Sequence, residues 1–314
     1  MPLSNKVHFD ASTALSQGRR DRQEDAVALD FPVGAEHGFA VLADGMGGHS
    51  AGDVASQIVV TELFSEIKML ISDPQGLEDN VKTKLQTALN DANMCIEHVA
   101  KSDPDVSVMG ATALAPLIFG QRLYWISVGD SPLYLFRSGV LTRLNEDHSM
   151  APQIDDMLSQ GLINSEEALA HPDRSCLTSV LIGNDIPKVD CSGRPTKLEP
   201  GDIVVAASDG LEFLSEEQIV EILSVYQTRP SAEINAAPLR EIECLDDPDQ
   251  DNISLCLIKV IGDTAAKVLR PEPLPEIANL TQTHTINRPS SVTVLSRKSG
   301  ASSQVLCVSR KVKM

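Results

Sequence analysis

The chain has 314 residues, 42% hydrophobic and 22% charged, a balance that allows a sizeable globular core. Its net charge of −18 argues against nucleic acid or an anionic membrane as the main partner, because both would repel it. No apolar run approaches the roughly 18 residues of a membrane span, and residues 1–20 lack the pattern of a signal peptide. Six scattered cysteines without a Cys-x-x-Cys pair indicate neither a zinc site nor a disulfide framework. We therefore expect a soluble, reduced, cytoplasmic protein.

Two helices are predicted in the first third of the chain. Apolar residues recur every three or four positions in residues 54–71 and again in residues 77–99, which is the period of amphipathic helices. Ser50, followed three residues later by Asp53, resembles a capping box at the start of the first helix. We expect the two helices to form an antiparallel pair that lies on an apolar surface.

Short runs of β-forming residues account for most of the rest of the chain up to residue 261. Turn sequences separate the central runs, as in a meander of hairpins, and a further helix is predicted over residues 216–226. This order lacks the strict alternation of strand and helix of a parallel sheet, and it predicts an α+β fold of antiparallel sheets packed together with helices outside. The predicted strands are 26–31, 39–43, 112–119, 122–128, 133–137, 140–143, 203–207 and 252–260.

The C-terminal segment, residues 262–314, differs from the rest of the chain in composition. Eight basic and three acidic residues give it a charge of +5, which leaves −23 on residues 1–261. Its prolines and serines favour a flexible tail, because such a segment buries too little apolar surface to offset the entropy of ordering. Short β-like runs at residues 292–295 and 305–308 leave some docking open. The charge contrast makes the tail a candidate for folding back onto the domain or for recruiting a partner, and a plain linker fits equally well.

Two similar segments end an apolar strand with an Asp-Gly pair. They run from Phe39 to Asp44 and Gly45, and from Ile203 to Asp209 and the glycine after it. The glycine permits a sharp turn or the close approach of a ligand. The aspartate needs a partner, because a lone desolvated carboxylate is costly. Taken singly, each Asp-Gly pair is more simply a turn.

Two further acidic segments lead directly into predicted strands. Glu24 and Asp25 precede the strand at 26–31, and Asp251 precedes the strand at 252–260. Each alone is typical of a solvated charge cluster. Four such sites together, with no cysteine and few histidines, favour a hard-cation site for Mg²⁺ or Mn²⁺ over zinc, since these ions prefer oxygen ligands. Two divalent cations would roughly offset four carboxylates.

Seven short motifs occur in a fixed order along the first 261 residues. They are Arg20-x-x-x-Glu24-Asp25, Ala43-Asp44-Gly45-Met46-Gly47-Gly48-His49, Gly110-Ala111-Thr112-Ala113, Val128-Gly129-Asp130-Ser131, Glu146-Asp147-His148-Ser149, Ser208-Asp209-Gly210-Leu211 and Asp251-Asn252. This ordered set resembles the PPM family of metal-dependent serine/threonine protein phosphatases, the protein phosphatase 2C type, in its bacterial branch. The resemblance covers about residues 13–261. It implies a four-layer α-β-β-α sandwich of two mainly antiparallel sheets flanked by antiparallel helix pairs.

The resemblance also implies how the carboxylates would share two metal ions. Asp44 would be the central catalytic ligand that bridges both ions, and the carbonyl of Gly45 would be a further ligand of one of them. Asp209 and Asp251 would hold one metal ion. Together these residues would form the core of the site.

The remaining implied roles lie around that core. Glu24 and Asp25 would lie on its other side, partly acting through water. Asp130 would be a ligand of a third, weaker ion that it shares with Asp209. Arg20 would be the catalytic residue that grips the substrate phosphate, a role suited to the planar guanidinium group.

The implied reaction is hydrolysis of phosphoserine and phosphothreonine in proteins by a metal-activated water, without a phosphoenzyme. The implied partners are phosphorylated proteins, a cognate serine/threonine kinase and its substrates. One alternative is a catalytically weak module of the same fold that binds partners, and another is a hydrolase of a small phosphorylated molecule. The complete set of carboxylates favours an enzyme. The family also has a mobile flap beside the active site, which falls on residues 151–177.

The sequence departs from the family pattern at three positions. Met46 stands where some relatives have a histidine that is a candidate general acid, which leaves His49 and His148 as candidates by motif proximity alone. Both are more simply structural. Pro132 stands where the family usually has an arginine, and Glu212 adds an acidic group near the site.

Overall fold

The computed structural model describes residues 7–48, 51–262 and 293–294. The strands in these residues are β1 (Val7–Ser16), β2 (Asp25–Asp30), β3 (His37–Gly47), β4 (Met109–Ala111), β5 (Ala113–Phe119), β6 (Arg122–Val128), β7 (Leu133–Arg137), β8 (Val140–Arg143), β9 (Asp190–Cys191), β10 (Thr196–Lys197), β11 (Ile203–Ala207), β12 (Ile253–Gly262) and β13 (Thr293–Val294). The helices are α1 (Ala51–Leu70), α2 (Pro74–Glu78), α3 (Val81–Ser102), α4 (Ala151–Ser159), α5 (Ser165–Leu169), α6 (Glu216–Tyr226) and α7 (Ser231–Leu245), with short 3-10 turns at Pro104–Val106 and Asp209–Phe213.

The strands form two antiparallel sheets. The first has the order β1-β12-β11-β7-β8, and the second has the order β10-β6-β5-β3-β2-β13, with β4 added beside β3 and β9 beside β6. Successive side chains of a strand point to opposite faces, so a strand that is covered on both faces is apolar throughout. β3 shows this pattern, because Phe39 and Val41 pack towards the helices while Ala40 and Leu42 pack towards the other sheet.

Three apolar layers hold the elements together. The first lies between the second sheet and helices α1 and α3. The next fills the space between the two sheets, and the last lies between the first sheet and helices α6 and α7. The chain is therefore a four-layer α-β-β-α sandwich, which confirms the fold class predicted from the sequence.

The strand predicted over residues 112–119 corresponds to β5, and a short strand that was not predicted, β4, precedes it. β4 pairs with the end of β3 at Gly45–Gly47, and β5 pairs with the body of β3. Thr112 separates them, and its backbone N–H donates to the carbonyl of Asp44 at 2.8 Å. The break therefore lies directly beside one of the predicted site residues.

Two of the longer elements, β1 and α7, were not predicted. β1 is flanked by β12 on one side only, and only alternate residues such as Phe9 and Ala11 contribute to the layer between the sheets. α7 follows Pro230 and contains Pro238, a residue that normally disfavours a helix interior. The side chain of Asp10 in β1 accepts hydrogen bonds from Ser231 at the start of α7 (2.7 and 2.8 Å), so the two missed elements hold each other in place.

The described structure reaches only a little of the predicted tail. β12 ends at Gly262, and within the β-like run at residues 292–295 the short strand Thr293–Val294 pairs with β2. The domain boundary and the flexible tail remain predictions, since the run at 305–308 and most of the tail lie outside the described residues, as does the predicted cap Ser50. No helix within the described part of the chain is both long and apolar enough to cross a bilayer.

Candidate metal centre

The predicted carboxylates converge where four strands begin or end. β2 begins at Asp25, which lies in register with Asp44 near the end of β3. In the other sheet, β11 ends two residues before Asp209, and β12 begins two residues after Asp251. Asp25 and Asp209 are close enough for each charge to act on the other, so residues that are distant in sequence share one edge of the sandwich.

Asp25 is a buried carboxylate, 6% exposed, that bridges the two sheets. Its Oδ2 accepts a hydrogen bond from the Ser208 hydroxyl at 2.7 Å, and that hydroxyl in turn accepts from the backbone N–H of Ser254 at 2.9 Å. Its Oδ1 has no hydrogen-bond partner. Burial, assisted by the negative charge of Asp209 and opposed by the Ser208 bond, raises the pKa of Asp25 to about 7.

Asp44 is held by its backbone. Its N–H donates to the Thr112 hydroxyl at 2.9 Å, and this hydroxyl lies 2.9 Å from the hydroxyl of Ser131. Desolvation and the charges of Asp25 and Asp209 raise the pKa of Asp44 well above its usual value. A backbone fixed in this way leaves the carboxylate free for other partners.

Asp209 and Asp130 complete the group of mutually repelling carboxylates. The carboxylates of Asp209 and Asp44 lie within hydrogen-bonding reach of each other, and Asp209 Oδ1 is buried without a partner. Desolvation and the charge of Asp251 raise the pKa of Asp209. Desolvation and the charge of Asp209 raise the pKa of Asp130 to about 7. The local charge is therefore far from balanced by the protein's own cations.

A tight backbone cradle lies beside these carboxylates. The N–H of Gly45 donates to the carbonyl of Glu24 at 3.1 Å. A Cβ on Gly45 would lie 2.0 Å from the carbonyl oxygen of Gly52, and a Cβ on Gly52 would lie 2.8 Å from the carbonyl oxygen of Gly45. Both positions therefore require glycine. Desolvation raises the pKa of Glu24, and the nearby guanidinium of Arg20 opposes this effect.

Arg20 lies at the mouth of the site with its side chain 56% exposed. One of its terminal nitrogens donates to Asp251 Oδ2 at 2.5 Å, and the Asp251 side chain is 30% exposed. The arginine therefore neutralises the outermost carboxylate and still has donors for an incoming anion. The structure thus brings all the predicted site residues to one end of the sandwich, with Asp251 paired to Arg20.

The donor chemistry fits a hard divalent cation. Among residues 7–48, 51–262 and 293–294, no three His, Cys, Asp or Glu side chains are arranged so that they could hold a metal ion as they stand. The described carboxylates nevertheless offer only oxygen donors, and Asp25 and Asp209 each present a buried oxygen without a partner. Because unpaired buried carboxylates are costly, a cation such as Mg²⁺ or Mn²⁺ would relieve the excess charge at this point.

A family model described as Protein phosphatase 2C matches residues 17–242. The chain belongs to the protein phosphatase 2C family. Its predicted family resemblance is confirmed.

One curated relative is the serine/threonine protein phosphatase PstP of Mycobacterium tuberculosis, which is 36% identical to this chain over 196 residues. These residues make up 61% of this chain and 35% of PstP. The serine/threonine phosphatase stp of Listeria innocua is 32% identical over 194 residues, 60% of this chain and 73% of stp. The chain thus spans about a third of the length of PstP.

Solved structures agree with the fold. A crystal structure of the M. tuberculosis phosphatase PstP/Ppp has a TM-score of 0.67 and 30% identity, covering 81% of this chain and 99% of that one. The PstP catalytic domain in complex with two manganese ions has a TM-score of 0.65 and 29% identity, with the same coverage.

The candidates for a general acid differ in how the structure places them. Met46 lies in β3 opposite Gly110 of β4. His148 is 1% exposed, its Nδ1 accepts the N–H of Gly129 at 3.3 Å, and burial lowers its pKa. Its Nε2 is buried without a hydrogen-bond partner among the described residues, 3.7 Å from Glu146. The burial fits the simpler, structural interpretation of His148, which stays a prediction. His49 lies outside the described residues.

The structure also shows the contacts of Pro132 and Glu212, the other two departures from the family pattern. The carbonyl of Pro132 accepts the N–H of Ala207 at 3.1 Å, next to the pairing of β7 with β11. Glu212 lies 3.4 Å from the guanidinium of Arg143. Arg143 also donates to the backbone carbonyl of Asp130, so it holds the loop that carries this carboxylate.

Sequence reasoning did not assign roles to the residues that orient the site. Ser208, Thr112 and Asn252 were present in the motifs, but their partners lie far away in sequence. Arg143 gave no signal, because a lone arginine at the end of a short strand is ordinary. Local patterns therefore predicted the carboxylates themselves better than the groups that support them.

Proposed function

We propose that this protein hydrolyses phosphoserine and phosphothreonine esters in proteins, with two Mn²⁺ or Mg²⁺ ions bound at the candidate metal centre. The observation that carries this proposal is the group of uncompensated carboxylates, Asp25, Asp44, Asp130 and Asp209, beside the exposed guanidinium of Arg20. Family membership supports it, as do relatives described as bacterial serine/threonine phosphatases.

The proposed ligands follow from their positions. Asp44 neighbours both Asp25 and Asp209, which would suit it to contact two ions. The carbonyl of Gly45 and the side chains of Glu24, Asp25, Asp209 and Asp251 would complete the two ligand sets, and Asp130 with Asp209 would bind a third, weaker ion. Support for the pair of ions is the related PstP catalytic domain, which is described in complex with two manganese ions.

The chain's own residues then provide orientation. The bound ions would lower the pKa of a water and offset charge on the phosphoryl group. Arg20 would bind the phosphate oxygens through its remaining donors. Ser208 and Thr112 hold Asp25 and Asp44 in place through the hydrogen bonds described above, so the ligands need little reorganisation.

The leaving seryl or threonyl oxygen must gain a proton. Met46 has none to give, and His148 is buried against Gly129 with its pKa lowered. We therefore assign this proton to solvent rather than to a side chain. A substitution of His148 would then alter stability and leave the pH dependence of turnover unchanged.

The proposed partners are phosphorylated proteins, a serine/threonine kinase and its substrates, and the location is the cytoplasm, as predicted from composition. No observation in the structure favours the partner-binding module or the small-molecule hydrolase. Competing turnover of phosphopeptides and small phosphate esters would separate the last alternative.

The experiment is hydrolysis of p-nitrophenyl phosphate and of a phosphothreonine peptide with Mn²⁺, after chelation and after Mn²⁺ is restored. We expect chelation to stop turnover reversibly and Asp44→Asn to abolish it. Asp105→Asn, at an exposed position in a turn, is the matched control and should retain full activity. Turnover that persists in chelator or in Asp44→Asn would contradict the proposal.

A further inference from the structure

One buried amide anchors the loop that carries Arg20. Asn252 is 4% exposed, and its side chain faces a single segment, residues 17–24, which we call the arginine loop. Its Oδ1 accepts the N–H of Glu24 at 2.7 Å, and its Nδ2 donates to the carbonyls of Gln17 at 2.8 Å and Arg22 at 2.9 Å. Both amide hydrogens and the amide oxygen are therefore used on this loop.

The arginine loop also touches the backbone just before Asn252. The N–H of Arg19 donates to the carbonyl of Gln250 at 2.9 Å. Gly18 has a φ of 58°, and a Cβ there would lie 2.1 Å from the carbonyl oxygen of Asp251. The loop thus lies directly on residues 250–252.

The loop's other side-chain contacts are mostly exposed: Gln17 Nε2 donates to the carbonyl of Arg20 at 2.7 Å, and the guanidinium of Arg19 pairs with the exposed Asp246. The loop contains no helix or strand, and the side chains of Arg19, Arg20, Asp21 and Arg22 are exposed. The ion pair between Arg20 and Asp251 is partly exposed, and such pairs contribute little to order in water. A buried amide with three hydrogen bonds is the stronger constraint, since leaving its partners unpaired is costly.

We infer that Asn252 is a positioning residue: its side-chain amide fixes the arginine loop so that Arg20 is presented to the phosphate group of the substrate. This inference rests on the proposed function of Arg20. Asn252 itself touches no reacting atom. Its loss should therefore weaken binding of the phosphate more than it slows turnover of bound substrate.

The chain offers a matched control in Asn235. It is 2% exposed, and its Nδ2 donates to the carbonyl and the hydroxyl of Ser12, both at 2.8 Å. It therefore ties α7 to β1, away from the arginine loop. Asn252→Ala should raise KM for p-nitrophenyl phosphate by about tenfold with a smaller change in kcat, while Asn235→Ala should leave KM unchanged.

Asn252→Asp separates hydrogen bonding from shape. Aspartate keeps the size and the acceptor for Glu24, but it turns a carboxylate oxygen towards the carbonyls of Gln17 and Arg22. We expect KM to rise at least as much as in Asn252→Ala. A wild-type KM in Asn252→Asp would overturn the inference.

A double-mutant cycle tests whether Asn252 acts through Arg20. If it does, Asn252→Ala should raise KM far less in an Arg20→Ala background than in the wild type. Fully additive effects would show a merely structural role and would overturn the inference.

A readout without activity keeps the inference separate from the proposed function. Trypsin cleaves after Arg19, Arg20 and Arg22, so loosening the arginine loop should speed cleavage in Asn252→Ala and not in Asn235→Ala. Equal cleavage in all three proteins would overturn the inference. If the wild type hydrolyses no phosphate ester, the proposed function fails. In that case two measurements decide the role of Asn252. One is the rate of cleavage by trypsin, and the other is the affinity for inorganic phosphate measured by calorimetry, which should weaken in Asn252→Ala.

Discussion

Strand β2 carries a buried aspartate at each end, and only one of the two has a cationic partner within the described residues. Asp30, 1% exposed, has one buried oxygen without a hydrogen-bond partner, as Asp25 does, but its other oxygen forms an ion pair with Lys68 of α1. Asp25, 6% exposed, has Ser208 as its hydrogen-bond partner and lies near the negative charges of Asp209 and Asp44. A buried carboxylate with its own cation is part of the scaffold. A buried carboxylate among other carboxylates needs a cation from outside the chain.

Asp202 repeats the scaffold pattern elsewhere in the molecule. It is 2% exposed and accepts two hydrogen bonds from the guanidinium of Arg137, at 2.8 and 2.6 Å. Such fork-shaped pairing satisfies both carboxylate oxygens. The difference between Asp202 and Asp209 is therefore one of local partners, and it can be tested at both positions.

The largest expected effect is the contrast between Asp209→Asn and Asp202→Asn. Asp209→Asn should lower kcat/KM for p-nitrophenyl phosphate by at least about 10³-fold, roughly 4 kcal/mol, because it removes a proposed metal ligand, and it should leave the metal-free protein at least as stable as the wild type. Asp202→Asn should keep kcat/KM and lower the melting temperature. An active Asp209→Asn variant with a lowered melting temperature, together with an inactive Asp202→Asn variant of unchanged melting temperature, would contradict this contrast.

A smaller effect is expected from the two ends of β2. Asp25→Asn should reduce turnover about 10- to 100-fold at limiting Mn²⁺, with partial recovery at high Mn²⁺. Asp30→Asn should keep turnover and cost about 1–2 kcal/mol of stability, since Lys68 is partly exposed and water compensates for its lost partner. Urea denaturation measures the loss of stability in Asp30→Asn. An inactive Asp30→Asn variant would contradict the assignment of Asp30 to the scaffold and of Asp25 to the metal centre.

A third expectation concerns pH in the presence of chelator. The pKa of Asp25 is raised to about 7 by burial, above the unfolded value of about 3.9. The folded protein therefore binds this proton more tightly than the unfolded chain does. The resulting contribution to the free energy of unfolding is fully present below about pH 4, decreases as the pH rises and is lost once the pH has passed about 7. In chelator, the melting temperature of the wild type should fall relative to that of Asp25→Asn between about pH 4 and 7.

Excess Mn²⁺ provides the control for this pH experiment. Bound cations favour the charged carboxylates, so the fall should disappear when the site is loaded. A gap between wild type and Asp25→Asn that stays constant with pH in chelator would show that Asp25 is not uncompensated in the metal-free protein.

The smallest effect is expected from deleting residues 263–314. The deletion removes β13 from the edge of β2, where two residues pair, so about 1 kcal/mol of stability is at stake. Basal turnover of p-nitrophenyl phosphate should stay within about twofold of the wild type. Unchanged stability together with unchanged partner pull-down would remove any role for the tail in docking or recruitment.

Much of the fold could be predicted, because the elements that were predicted have clear local patterns of apolar residues. β3 and β11 are apolar on both faces, and helices α1 and α3 show long apolar stripes. β1 was missed because polar residues occupy half of its positions, and α7 was missed because Pro238 interrupts its pattern. These two elements depend on tertiary contacts such as the hydrogen bonds between Asp10 and Ser231.

The carboxylates of the site could also be predicted, since Asp-Gly at the end of an apolar strand is a local feature. Their environment could not. The bond from Ser208 to Asp25 and the amide of Asn252 on the arginine loop join segments that are distant in sequence. No pattern within one segment contains that information, and the fold supplies it.

The most direct test of the metal centre is anomalous diffraction from crystals grown with Mn²⁺. The account predicts two strong peaks between the strand ends, each at roughly 2.0–2.6 Å from carboxylate oxygens, with Asp44 in contact with both and Asp30 and Asp202 in contact with neither. Crystals soaked in ample Mn²⁺ that show no peak beside Asp44 and Asp209 would contradict it.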